Sequence, residues 1–143
     1  MVELRATSPR VVAVLASSGA CERVAPPDGV RVVRVSPREV LLVGDADIDV
    51  PAIGAQIAEA HAIVDDVSDA WAGLVLAGDR SREALARVCE LELPHDGWIQ
   101  GEVARAAATV FVEPSAVTIL VASMLGAHVE ERIRTDAAEL LAP

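Results

Sequence analysis

Three histidines, two cysteines and scattered carboxylates are what this chain of 143 residues could use for acid–base, nucleophilic or metal chemistry. A nucleophilic Cys or Ser needs a base within hydrogen-bond reach, and the imidazoles on offer are His61, His95 and His128. His61 opens an extended run, His95 falls in the turn Pro94-His95-Asp96-Gly97, and His128 sits beside the apolar stripe of the last helix. No two of them share a short motif, and without convergent partners each reads as a surface or core residue. Cys21 and Cys89 stand 68 positions apart. That spacing makes neither a zinc knuckle nor a CxxC redox pair, so buried free thiols are expected. Asp65-Asp66 is an adjacent acidic pair inside an apolar segment. It could act as a general acid or base with a raised pKa. The favoured reading is strand-end hydrogen bonding, with Asp66 reaching the backbone near Ser68. Asp45, Asp47 and Asp49 alternate as in a calcium loop but lack its sixth-position Gly and twelfth-position Glu, so they are read as helix-capping carboxylates. Gly101 and Gly126 are isolated, and no GxGxxG or GxxxxGK is present. No catalytic, cofactor-binding or metal residue is assigned, and no nucleotide cofactor is expected on this chain alone.

The aromatic content is 2%, Trp71, Trp98 and Phe111, so the core must be aliphatic. Tryptophan is enriched at interfaces. Trp98, just after a polar turn, and Trp71 are therefore candidate partner-contacting residues, with closure of the core as the equal alternative. The net charge of −10 repels phosphate backbones and anionic lipid, which argues against nucleic-acid and membrane partners. The opening MVELRATSPR is too polar for a signal peptide, and no run approaches the roughly 18 apolar residues of a membrane span. A cytoplasmic protein is expected.

The elements that position these residues are legible from periodicity. Around Asp65–Leu93 the chain reads strand, turn, helix: Leu74 and Leu76 alternate with Trp71, Gly73, Val75 and Ala77, Gly78-Asp79 breaks the strand, and Ala84, Leu85, Val88 and Cys89 share a helical face. Asp79 or Ser81 is expected to cap that helix. Upstream, residues 1–9 read as a flexible arm. Val11–Leu15 is a buried strand, and Ser17-Ser18-Gly19 turns into a short helix reaching Val24. A Pro-Pro loop follows, and Val30–Val35 and Val40–Val43 form a hairpin about Pro37. A helix carries Val50, Ile53 and Ile57, and His61–Val67 is a strand. Downstream, Trp98–Val112 is one extended segment, and Val117–Val121 returns after a turn at Pro114. Ser123 caps a last helix, with Leu125, Val129, Ile133, Ala137, Leu140 and Leu141 buried and Glu130 paired to Arg134.

A repeat is visible: VRVSPREVLLV from Val33 aligns with VFVEPSAVTILV from Val110, placing Pro37 on Pro114 and Val40 on Val117. Both halves read β-α-β-β-α, the ferredoxin-like unit. The expected fold is therefore α+β: duplicated ferredoxin-like units, about 10–66 and 67–141, within a single domain over 10–143.

Asp66–Ser68 (DVS), Leu74–Gly78 (LVLAG), Ala84–Leu85 (AL) and Cys89–Leu93 (CELEL), with the hairpin Val35–Gly44 (VSPREVLLVG), resemble the gamma subunit of heterotetrameric sarcosine oxidase. That family is related to the folate-binding domain of glycine-cleavage aminomethyltransferases, and the resemblance extends over roughly residues 10–141. It implies a folate-binding-domain-like fold and a non-catalytic structural subunit of a flavin-dependent oxidase or demethylase of N-methyl amines such as sarcosine. FAD, FMN, NAD or tetrahydrofolate would sit in partner chains, with large flavoprotein subunits as the partners. The resemblance puts Arg105 and Ala106 where aminomethyltransferases carry a catalytic Asp, and Ala122 where they carry an Asn. Loss of that carboxylate removes the acid–base group and leaves Arg105, with Trp71 and Trp98, as a candidate interface residue. The alternatives are a stand-alone tetrahydrofolate or one-carbon binding module and a homodimeric interaction protein.

Overall fold

The computed structural model describes residues 1–143. It divides into two compact units, one continuous (Ser8–Asp69) and one joining Met1–Thr7 to Ala70–Pro143. The first strand, β1 (Glu3–Thr7), belongs to the second, larger unit.

The smaller unit runs β2 (Arg10–Leu15), α1 (Ser18–Glu22), β3 (Arg31–Ser36), β4 (Glu39–Gly44), α2 (Val50–Ile57) and β5 (Ile63–Asp66). Its antiparallel sheet has the order β3-β4-β2-β5. Val12 lies opposite Leu42 and Val14 opposite Val40. This period-2 register turns all four onto a core shared with Ala20, Cys21 and Val24 beyond β2 and with Ile53 and Ile57 of α2. Ser17 starts α1 by accepting from the Ala20 N–H (3.2 Å), and Pro26-Pro27 forbids its continuation. Asp49 starts α2 by accepting from the Ala52 N–H (3.0 Å). The helix ends where Ala58 turns left-handed, at φ 52°.

The larger unit continues with β6 (Trp71–Ala77), α3 (Ser81–Ala86), β7 (Gly97–Val103), β8 (Ala106–Glu113), β9 (Ala116–Ala122) and α4 (Gly126–Asp136). Its antiparallel sheet has the order β1-β6-β9-β8-β7. Leu74 and Leu76 of β6, Val117, Ile119 and Val121 of β9 and Val110 and Val112 of β8 share one face. They pack with Ala84 and Leu85 of α3 and Val129 and Ile133 of α4. Burying each such Leu or Ile is worth about 1.5–3 kcal/mol, so this face anchors both helices. Gly78, at φ 131°, is required at the close of β6: a Cβ there would stand 2.9 Å from the Met1 carbonyl oxygen.

Both units are α+β, as expected, and hairpins form at Pro37 and Pro114: β3 turns into β4 and β8 into β9. The orders β3-β4-β2-β5 and β8-β9-β6-β1 also run in step. Four expectations need correction. Residues 3–7 are not a flexible arm but strand β1, paired with β6 from Glu3–Ala77 to Thr7–Gly73. Val2 beside it is fully buried, its N–H donating to the Leu140 carbonyl at 2.8 Å. Glu3 and Arg5 hide the signal of a strand whose core contacts are half-buried Leu4 and the preceding Val2. Trp98–Val112 is not one segment but the hairpin β7–β8, turning at Ala104-Arg105. Neither Asp79 nor Ser81 caps α3, whose start lies at Arg80 without a side-chain cap. Arg80 instead clasps Glu83 at 2.7 and 2.8 Å. Nor does Ser123 cap α4: it opens a 3-10 turn, Ser123–Leu125, that leads into the helix.

Candidate functional site

The chemistry-capable residues are dispersed, and most are bonded into local structure. In the smaller unit, His61 is exposed at a hollow of about 280 Å³ lined also by Leu15, Ala16, Ser17, Arg38 and Glu59. The Ser17 hydroxyl donates to Glu59, and the Ser17 N–H donates to the same carboxylate at 3.0 Å. These bonds hold the Glu59 carboxyl below its usual range, the Ser17 hydroxyl contributing most. The Ser17 hydroxyl thus donates to a carboxylate while its oxygen caps α1, an arrangement that clasps the start of the helix.

Asp66 behaves as its position near a strand end predicts. Its Oδ1 accepts from the Ser68 hydroxyl (2.6 Å) and the Ser68 N–H (2.9 Å), and its Oδ2 accepts from Arg10 Nη2 (3.1 Å). Ser68 in turn accepts from the Val11 N–H at 2.8 Å. The Ser68 hydroxyl, ahead of the Ser68 N–H and Arg10, lowers the Asp66 carboxyl, the opposite of a proton donor's requirement. Asp65 is exposed. Asp49 caps α2, while Asp47 stands 3.2 Å from Arg10 Nε.

In the larger unit, His128 Nε2 lies 3.0 Å from the Ala104 carbonyl oxygen, and the His95 carbonyl accepts from Arg82. Cys89 is buried, and burial pushes its thiol up, away from the thiolate a nucleophile needs. Cys21 is a buried free thiol of the smaller unit.

The three expected interface residues all fall in the larger unit, at two places. Arg105 sits on the β7–β8 turn, where Ala104 (φ 51°) and Arg105 (φ 65°) both hold positive φ. That is the two-residue pattern of a type I′ turn without its usual Asn or Gly. The turn is pinned from both sides: the Ala104 N–H donates to Val88 at 2.7 Å, and the Ala104 carbonyl meets His128. Arg105 borders a hollow of about 590 Å³ together with Arg87, Arg132, Cys89, Glu90 and Glu102. Arg87 pairs with Glu139 (2.8 Å) and Arg132 with Asp136 (2.6 Å), whereas Arg105 is exposed. Ala106 opens β8 opposite Val103, and Ala122 closes β9 opposite Trp71. The positions that the resemblance equates with an Asp and an Asn thus carry a turn guanidinium and two methyl groups.

Trp71 and Trp98 lie on the face of the sheet opposite the helices. Strand register places Trp71 with Ala122, and Trp98 with Phe111 and Thr118. Trp98 is 37% exposed. Trp71 borders a largely apolar hollow of about 450 Å³ with Gln100, Gly101, Glu102, Ala107, Ala108 and Thr109. Gln100 Nε2 donates to the buried Thr109 hydroxyl at 3.3 Å. Sequence reading found both tryptophans but missed Gln100, Glu102 and Thr109. Their common signal was the alternation Trp98, Gln100, Glu102 on one side of a single strand, hidden when β7 and β8 were read as one segment.

No protein-family model matches the sequence, and no curated protein matches it. Among solved structures, a chain of the heterotetrameric sarcosine oxidase from Corynebacterium sp. U-96, in complex with pyrrole 2-carboxylate, is similar in fold. The TM-score is 0.83 at 16% identity, over 99% of this chain and 86% of that one. The regulatory subunit of aspartate kinase from Thermus thermophilus is similar at TM-score 0.50 and 9% identity, over 95% of this chain and 97% of that one. At these identities the likeness is one of fold.

Proposed function

We propose that this chain is a non-catalytic structural subunit of a heteromeric, flavin-dependent amine oxidase or demethylase of the sarcosine oxidase kind. Flavin, NAD and folate chemistry would reside in large partner subunits. The observation that carries this reading is the fold correspondence with a chain of heterotetrameric sarcosine oxidase over 99% of the residues. Fold alone does not imply function, and four side-chain observations support the reading. Ser68 and Ser17 hold the Asp66 and Glu59 carboxyls low, burial holds Cys89 as a thiol, and Arg105, Ala106 and Ala122 stand at the positions that the resemblance equates with an Asp and an Asn. We read the matching orders of the two sheets as copies of one ferredoxin-like β-α-β-β-α unit, the second completed by β1 and widened by β7. A cytoplasmic location belongs to the same reading.

Co-expression with the large flavoprotein subunits of a sarcosine oxidase-like enzyme tests the proposal. The chain should co-elute with a flavin-absorbing complex that oxidises an N-methyl amine, and the isolated chain should not. A chain that never associates with a flavoprotein defeats the reading. Micromolar tetrahydrofolate binding by the isolated chain in calorimetry would support a folate module instead, and a stable symmetric dimer in light scattering would support a self-assembling interaction protein.

A further inference from the structure

The two sheets have four edge strands, and three are defended against pairing with another chain. Strand β1 carries Glu3 and Arg5 and is flanked by the Val2–Leu141 bridge. Strand β3 carries Arg31 and Arg34 and is broken by a register shift between Arg34 and Ser36. Strand β5 is four residues long and ends in two aspartates. Short length, charge and bulges are the usual protections of an edge. Strand β7, Gly97–Val103, is long and regular: it runs seven residues, GWIQGEV, with Glu102 its one charge, no Pro and an unbroken register to β8, and the preceding segment meets it at Gly101 through Leu91 and at the following Ala104 through Val88. A long, regular, weakly charged edge is a template for a further strand and a liability if left bare.

Next to this edge lies the hollow of about 450 Å³ bordered by Trp71, Gln100, Glu102, Ala107 and Thr109. An apolar floor, an indole and one exposed carboxylate suit a long basic side chain. Its methylene stem covers Ala107, its cation faces Trp71, and its charge meets Glu102. Added strands are held by main-chain bonds, while adjoining pockets select alternate side chains. Charge decides between occupants: a second copy would bring another −10 and a second Glu102 to the same edge, whereas a basic segment of a different chain is attracted.

We infer that β7 is a strand-addition site for an extended, basic segment of a partner chain, one Arg or Lys of which occupies the hollow beside Trp71. This rests on the subunit reading above and names the docking element within it.

The test uses the assembled complex and the isolated chain. On assembly, hydrogen exchange should slow at the backbone amides of residues 97–103, and tryptophan emission should shift to the blue. Glu102→Lys should weaken assembly at least tenfold and Glu102→Gln about threefold. Asp65→Lys, the same charge change on strand β5, should leave assembly unchanged, with far-ultraviolet circular dichroism confirming that each variant folds. A complex that forms with residues 97–103 exchanging as fast as in the free chain overturns the docking inference and leaves the subunit reading standing. Equal weakening by Asp65→Lys and Glu102→Lys overturns it too, since net charge alone would then explain the effect. Slowed exchange in a homodimer of the free chain overturns the choice of occupant. Failure to assemble with any flavoprotein overturns both readings.

Discussion

Arg105 is the residue where local energetics and tertiary structure disagree most. A non-glycine residue in the left-handed region costs about 1–2 kcal/mol, and the β7–β8 turn places Ala104 and Arg105 there in succession. The Ala104 N–H donating to the Val88 carbonyl and the Ala104 carbonyl accepting from His128 hold the turn in place. Arg105→Gly should relieve the strain and raise stability by about 1 kcal/mol in urea unfolding. An unchanged or lower midpoint would show that the guanidinium makes a stabilising contact. Asp66 illustrates the opposite case, a side chain in full agreement with its surroundings. Its carboxyl is lowered in the folded state by Ser68 and Arg10. The stabilisation is therefore complete above the unfolded-state value, about 3.9, and is lost as the pH falls through the lower folded value. Asp66→Asn should be less stable than the parent at pH 7, and the gap should close on acidification below about pH 4. A gap that stays constant with pH would assign the effect to packing.

At the level of elements, the apolar strands and the hairpins were legible because period-2 alternation and Pro37 or Pro114 mark them directly in the sequence. Val129 and Ile133 of the last helix and the Glu130–Arg134 pair (2.8 Å) also followed from helical spacing, whereas the helix ends at Asp136, so the expected stripe members Leu125, Leu140 and Leu141 lie in the flanking turns. The misses share one cause: each depended on a partner distant in sequence. Strand β1 has little apolar content of its own and exists because β6 offers its edge. The β7–β8 turn carries no Gly, Pro, Asn or Asp at its centre, so no local signal could announce it. Helix α3 starts at an Arg80–Glu83 clasp instead of a Ser or Asp cap, a choice that propensity does not rank. Of the residues expected at an interface, Trp71 and Trp98 share one face only through strand register, which no single segment encodes.

For the molecule as a whole, the division is uneven in sequence but consistent in architecture: one unit is continuous, and the other takes its first strand from residues that precede it in the chain. Val2 is the keystone of that arrangement, fully buried, with its N–H on Leu140 and its carbonyl accepting from Ala142 (both 2.8 Å). Val2→Ala should cost about 2 kcal/mol and should speed hydrogen exchange in β1 and at residues 140–142 together. Loss confined to β1 would show that the two ends are held independently. Strand β1 also sets a timetable for the nascent chain. It is made before every other strand of its sheet, yet its neighbour β6 begins only at Trp71 and the residues that clasp Val2 lie at 140–142. The continuous segment Ser8–Asp69 can therefore collapse during synthesis while the opening strand waits without a mate. Slow translation past residue 77 would prolong that exposure, so codon choice downstream of β6 is where expression yield should prove most sensitive.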